Sequence, residues 1–184
     1  MYYANMCLHG ALSVTLPIYD GHTPCAHTNF SPQGHSVSRR VLRGFDPSAF
    51  SQAREAAGMS RKDLARLAQT GRATIDNWET GRVTPQIDVL VRAAKALNAS
   101  VDTFVNIPAN QRYPGDLRVL RGLTQPQLAN ATGLSTTTIG AIERGEVNLS
   151  DANAQAIATA LKLSPQTYQQ AFERVRTRPP GTPA

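Results

Sequence analysis

The chain is 184 residues long, enough for one or two small domains. Its formal net charge of +6 favours a polyanionic partner without proving one. No apolar run approaches the ~20 residues of a transmembrane helix, and the N-terminus lacks a basic leader and a long apolar stretch. No membrane partner is expected, and a cytoplasmic location is.

Residues 1–45 stand apart. They hold all four His (His9, His22, His27, His35) and both Cys (Cys7, Cys25), with scattered Pro and Gly and no sustained period. His22, Cys25 and His27, with Cys7 or His9, are ligand types that zinc accepts. The spacings match no paired knuckle pattern, so no metal site is expected. A Cys7–Cys25 disulfide is disfavoured in a reducing cytoplasm. The segment reads as a disordered extension, or as sequence upstream of a true start near Val37 or Val41. Arg39, Arg40 and Arg43 would either track phosphates as an arm or stay solvated.

Residues 46–105 read as a helical domain. Asp46 is an N-cap followed by Pro47 at the first helical position, and this helix stops at Gly58. Ser60 and Asp63 form a capping box for a second helix, with Leu64, Leu67 and Ala68 inward. Gln69-Thr70-Gly71 follows; either the turn adjusts around Gly71 or Gln69 bears strain. A third helix covers about 72–80, with Ile75 and Trp78 inward. Thr84-Pro85 opens a fourth, whose apolar stripe is Ile87, Leu90, Val91, Ala94 and Leu97. Ser100 caps a short fifth helix ending near Val105.

Residues 106–115, with two Pro, read as a semi-extended linker. The second domain covers 116–176, its first helix starting near Pro114 and ending at Gly122. Thr124 and Gln127 form a capping box, with Pro126 in the first turn and Leu128, Ala131 and Thr132 on one face. Gly133 ends that helix, and Ser135 caps the next, with Ile139 and Ile142 on one face. A fourth helix begins near Ser150 and carries Ala154, Ile157, Ala158 and Leu161. Ser164-Pro165 caps the last helix, which reaches about Val175. Residues 177–184 read as a disordered tail.

The two domains are one unit written twice. Shifted by 64 positions, the chain aligns with itself without a gap. Arg118, Gly122, Leu128, Ala129, Thr138, Ile139, Glu143, Gly145 and Val147 meet identical residues at Arg54, Gly58, Leu64, Ala65, Thr74, Ile75, Glu79, Gly81 and Val83. Two units are too few for a solenoid, so each must close its own core.

The pattern of Ala129, Gly133, Ile139 and Ile142, closed by Glu143-Arg144-Gly145, resembles the helix-turn-helix of the phage-repressor-like (Xre) family. The resemblance implies an all-α fold of two tandem five-helix, lambda-repressor-like DNA-binding domains behind a disordered N-terminal extension. It also implies that the third helix of each unit enters the major groove with its N-terminal half facing base edges. The candidates for base contact are then Arg72, Ala73 and Asn77 in the first unit, and Thr136, Thr137 and Ala141 in the second. Asp76 and Gly140 lie on the same faces. Arg72 would fork onto a guanine and Asn77 would pair with an adenine, whereas the second unit offers only hydroxyls and small apolar groups. Phosphate contacts are expected from Arg61 and Gln125 at the start of the second helix of each unit, from Arg82, and from Arg144. Glu146 stands where Arg82 does, against a matching loop contact. In the family, an Arg of the first helix pairs with the Glu ending the third, which implies structural pairs Arg54–Glu79 and Arg118–Glu143.

The function expected is sequence-specific binding of double-stranded DNA by a transcriptional regulator of bacterial or phage type. Either one chain places both units on successive grooves as a covalent pseudo-dimer, or a homodimer uses one unit for DNA and the other for assembly. The alternative is a protein-interaction, antitoxin or adaptor module. Residues 46–105 carry eight basic and seven acidic residues, a near balance that keeps this alternative open. No enzyme is expected, because His and Cys occur only in the first 45 residues and no phosphate loop or paired-carboxylate motif stands out. No cofactor and no small-molecule effector are expected.

Overall fold

The computed structural model describes residues 42–182, so the His and Cys discussed above, with Arg39 and Arg40, lie outside the described residues. Asp46 starts the first helix by accepting from the Ser48 and Ala49 N–H groups, with Pro47 at the first helical position. The first unit comprises α1 (Pro47–Ala56), α2 (Arg61–Leu67), α3 (Arg72–Glu79) and α4 (Ile87–Ala96). A 3₁₀ turn (Val101–Thr103) stands where a fifth helix is predicted. Residues 104–106 pair instead with 44–46. Phe45 and Val105 form an antiparallel bridge; Asp46 N–H donates to Phe104 O, and Asn106 N–H to Gly44 O, both at 2.8 Å.

That pairing moves the start of the unit upstream of the predicted boundary at 46. Leu42 is buried in the first core, and Phe45 packs against it. The Leu42 N–H donates to Thr84 Oγ1 at 3.3 Å. Thr84-Pro85 therefore precedes α4 rather than opening it, and Gln86 takes the cap position with no side-chain bond. Phe50, Leu64, Ile75, Trp78, Leu90 and Phe104 form the centre of this core. The Phe50 ring meets Trp78 edge-on at 5.6 Å and Phe104 at 5.3 Å, the geometry that aromatic quadrupoles prefer.

The second unit comprises α5 (Pro114–Leu120), α6 (Gln125–Thr132), α7 (Thr136–Arg144), α8 (Asp151–Ala160) and α9 (Pro165–Arg176). Pro114, Ile142 and Tyr168 stand at the positions of Phe50, Trp78 and Phe104. With two of the three aromatics gone, the full-length α9 closes the core through Tyr168, Ala171, Phe172 and Val175.

Three other expectations are corrected. Leu67 is exposed rather than inward, and Ala131 is exposed although Leu128, whose face it is expected to share, is buried. The buried stripe runs through Leu64, Ala65 and Ala68, and a residue three beyond Leu64 falls roughly 110° from its centre at ~100° per residue. Residues 106–115 are not semi-extended throughout: Ile107 is buried in the first core, and a second 3₁₀ turn (Ala109–Gln111) follows. Arg112 Nε donates to Ile107 O at 2.9 Å, and Arg174 Nε of α9 to Arg112 O at 3.0 Å. The start of the tail is tied as well, because Arg178 Nη1 donates to Arg144 O at 2.8 Å and Val175 O at 2.6 Å.

The units pack on each other through unlike surfaces. Val119 and Leu120 of α5 lie against the first core, and α5 touches the 3₁₀ turn at Val101–Thr103. A Cβ at Gly122 would lie 2.9 Å from Val91 Cγ2, so glycine permits this close approach. Arg43 Nη1 bonds Asp116 Oδ2 at 2.7 Å, and its guanidinium lies 4.4 Å from the Tyr113 ring centroid. Burial pushes the Asp116 carboxyl above its usual range; the Tyr113 N–H and the Arg43 charge offset part of that cost.

Between α2 and α3 the strain falls on Gln69, at φ 53°, where Gly133 stands at φ 72° in the second unit. Gly71 has ordinary backbone at φ −80°. Gln69→Gly is expected to stabilise the protein by about 1 kcal/mol, the usual penalty of a left-handed residue with a side chain. Urea denaturation measures it, and an unchanged or lower midpoint contradicts the strain. The Tyr168 hydroxyl is buried and bonds no partner among the described residues. Tyr168→Phe, which installs the first unit's residue, is expected to leave stability unchanged or raise it by up to about 1 kcal/mol. A lower thermal midpoint would show that the hydroxyl is satisfied.

Candidate nucleic-acid interface

In each unit the second helix and the turn after it hold the third helix against the core by one face only. Ile75 and Trp78 anchor α3, and Ile139 and Ile142 anchor α7. The opposite face of α3 carries Arg72 and Ala73, exposed, and Asp76 and Asn77, half-buried. On α7, Thr136 and Thr137 are exposed and Ala141 is half-buried. Gly140 is buried because Arg144 lies over it; a Cβ there would stand 3.1 Å from Arg144 Nη1. Ser135 caps α7 by accepting from the Thr138 N–H, whereas Gly71 leaves α3 without a side-chain cap.

The inner end of the third helix is held by charge. Arg54 Nε donates to Glu79 Oε1 at 2.5 Å and Nη2 to Oε2 at 3.2 Å, while Nη1 donates to Met59 O at 2.8 Å. Arg118 repeats this: 2.5 Å and 3.2 Å to Glu143, and 2.6 Å to Leu123 O. The Glu79 and Glu143 side chains are 2% and 0% exposed, so each carboxylate draws its compensation from protein donors.

A third donor completes each site. Arg61 Nε donates to Glu79 Oε2 at 2.6 Å, and Gln125 Nε2 to Glu143 Oε2 at 2.6 Å. The two residues expected to face phosphates thus occupy one repeat position and tie the start of the second helix to the end of the third. Nothing in the spacing signals this link, because it spans eighteen positions in each unit and forms only when both helices are packed.

The outer charges differ between units. Arg61 also lies 3.2 Å from Asp76, and Arg72 Nε lies 4.0 Å from Asp76 Oδ2. Arg82 is exposed in the loop after α3. Arg61, Arg72 and Arg82 therefore bring guanidinium groups to the first unit's face. Arg144 of the second unit is engaged by Glu146, with Nε and Nη2 each at 2.6 Å. Lys62 and Arg66 of α2 add exposed cations outside the motif positions. Val83 and Val147, in the loops after α3 and α7, are exposed large apolar residues. Their identity across the repeat is the signal that could have marked them.

A family model described as helix-turn-helix matches the chain twice, over residues 50–104 and 116–168. The chain belongs to the Xre-type, phage-repressor-like helix-turn-helix family. The two matches cover more than half of the sequence, and each spans one unit of this Xre-type protein, including its second and third helices. That family is one of DNA-binding regulators. No curated protein matches the chain. Among the described residues of this helix-turn-helix protein, no helix is long and apolar enough to cross a membrane.

The charge cluster carries a pH dependence. Burial pushes the Glu79 carboxyl up, but hydrogen bonds and charge from Arg54 and Arg61 outweigh it and hold the group below its ordinary value of 4.5. A carboxylate depressed in the folded state contributes stability that is present above the unfolded value and lost as pH falls through the folded one. Stability is therefore expected to decline as pH falls below about 4.5, and Glu79→Gln is expected to flatten that decline. Thermal midpoints of both proteins between pH 7 and pH 2.5 test this, and parallel curves contradict it.

Proposed function

We propose that this protein is a sequence-specific, double-stranded DNA-binding transcriptional regulator of bacterial or phage type, with α3 and α7 as its reading helices. The observation that carries this reading is the exposed N-terminal face of both helices, each fixed from behind by a buried Arg–Glu pair. Arg72 and Asn77 serve as bidentate readers of guanine and adenine. Ala73, Thr136, Thr137 and Ala141 make apolar and hydroxyl contacts at base edges. Arg82 and Arg144 bind phosphates, and Arg61 and Gln125 do so from their place beside the buried Glu. Those contacts set register rather than sequence.

A protein-interaction role is the second reading. It draws on the exposed Leu67 and Val83 and on the acidic neighbours that offset Arg61 and Arg72. Salt separates the two, since neutralising phosphates makes log K fall linearly with log salt.

The test is binding of the full chain to duplexes enriched from random DNA, titrated against salt. Arg82→Ala is expected to weaken all sequences alike and to lower the salt slope by about 1. Arg72→Ala and Asn77→Ala are each expected to lose ~1–3 kcal/mol of discrimination at one base position. Absence of enrichment at low salt would turn the search to protein partners.

A further inference from the structure

We propose that this protein reads a non-palindromic site, made of two half-sites that are unlike in sequence and are not related by a two-fold axis. The inference rests on the DNA-reading role proposed above and concerns how its two reading helices are disposed.

A palindrome has half-sites related by a two-fold axis, and it is matched by reading heads related in the same way. Bodies related by a two-fold touch through the same patch on both sides. The units of this chain do not. The first offers Val91 of α4 and Val101 of the 3₁₀ turn; the second offers Val119 and Leu120 of α5 and the Gly122 that follows.

The repeat counterparts of these residues are unused. Glu55, Ala56 and Gly58 stand at the positions of Val119, Leu120 and Gly122, and all three are exposed. A Cβ at Gly58 meets nothing within 4 Å, whereas one at Gly122 meets Val91 at 2.9 Å. Gln155, exposed, stands at the position of Val91, and Pro165 at that of Val101. The polar clamp is also unrepeated: Arg43, Tyr113 and Asp116 correspond to Ile107, Ala49 and Gln52.

The contact is therefore heterologous, joining the tail of one unit to the head of the next. Such a relation is not a two-fold, so the reading helices are not set as the half-sites of a palindrome require. Unlike half-sites follow from the reading faces, where Arg72, Asp76 and Asn77 correspond to Thr136, Gly140 and Ala141.

The experiment starts from the duplex that the full chain enriches from random DNA at low salt. Affinity is then compared for that duplex, for one with a half-site inverted in place, and for a palindrome of the first half-site. Inversion is expected to weaken binding about 10-fold or more at fixed salt, and the palindrome to bind no better than the inverted duplex. Val119→Glu with Leu120→Ala installs the first unit's own residues where the units meet. Both side chains pack on the first core, so the second core is left in place. This variant is expected to keep its helical circular dichroism and to bring the affinity ratio of the two orientations near 1. An enriched palindrome, equal affinity for both orientations, or an orientation preference unchanged in the variant would overturn the inference while leaving the DNA-reading role standing. Absence of enrichment at low salt would overturn that role and this inference together.

Discussion

The buried Arg–Glu pair is the constraint on which each unit depends. A reading helix must leave one face open to its partner, so only its inner face and its end are available to hold it. In both units the Glu that ends the third helix lies under a guanidinium from the first helix. A third donor, Arg61 or Gln125, ties in the second helix. Burying such charges costs free energy that only close, complete hydrogen bonding offsets. Removing either partner would strand a charge in the core.

Around that cluster the two units have diverged in how they fill space. The first packs Phe50, Trp78 and Phe104 edge-to-face and can do without a full fifth helix. The second puts Pro114 and Ile142 at two of those positions and needs α9 to complete its core. Truncation of the fifth helix leaves the chain at Val105 free to bridge Phe45. That bridge brings Arg43 to Asp116 and links the first unit's edge to the second unit's first helix. The short fifth element and the inter-unit clamp are thus structurally connected.

Periodicity, caps and the self-alignment made most of the fold legible. Asp46-Pro47, Thr124 with Gln127, Ser135, Ser150 and Ser164 cap helices where local chemistry places them. Errors arose where a local pattern had two solutions. Leu67, three residues from Leu64, fits an inward position by spacing, but the buried stripe turns the other way to include Ala65. Thr84-Pro85 has the form of a helix start, yet the Thr84 hydroxyl is taken by the Leu42 N–H. In the candidate site, exposure of Arg72, Thr136 and Thr137 was readable from helical spacing. Capture of Arg61 and Gln125 by buried carboxylates was not, since their partners lie eighteen residues away.

By itself, the sequence determined most of the helices, the family resemblance and the repetition of the unit. These rest on contacts within a few residues, on apolar spacing, and on identities that need no third dimension to be counted. The tertiary structure alone decided how the two units meet. Val91, Val119, Leu120 and Gly122 look like ordinary helix and turn residues until packing brings them together across the repeat. Such a contact depends on the relative placement of two closed cores, and no local periodicity encodes that placement.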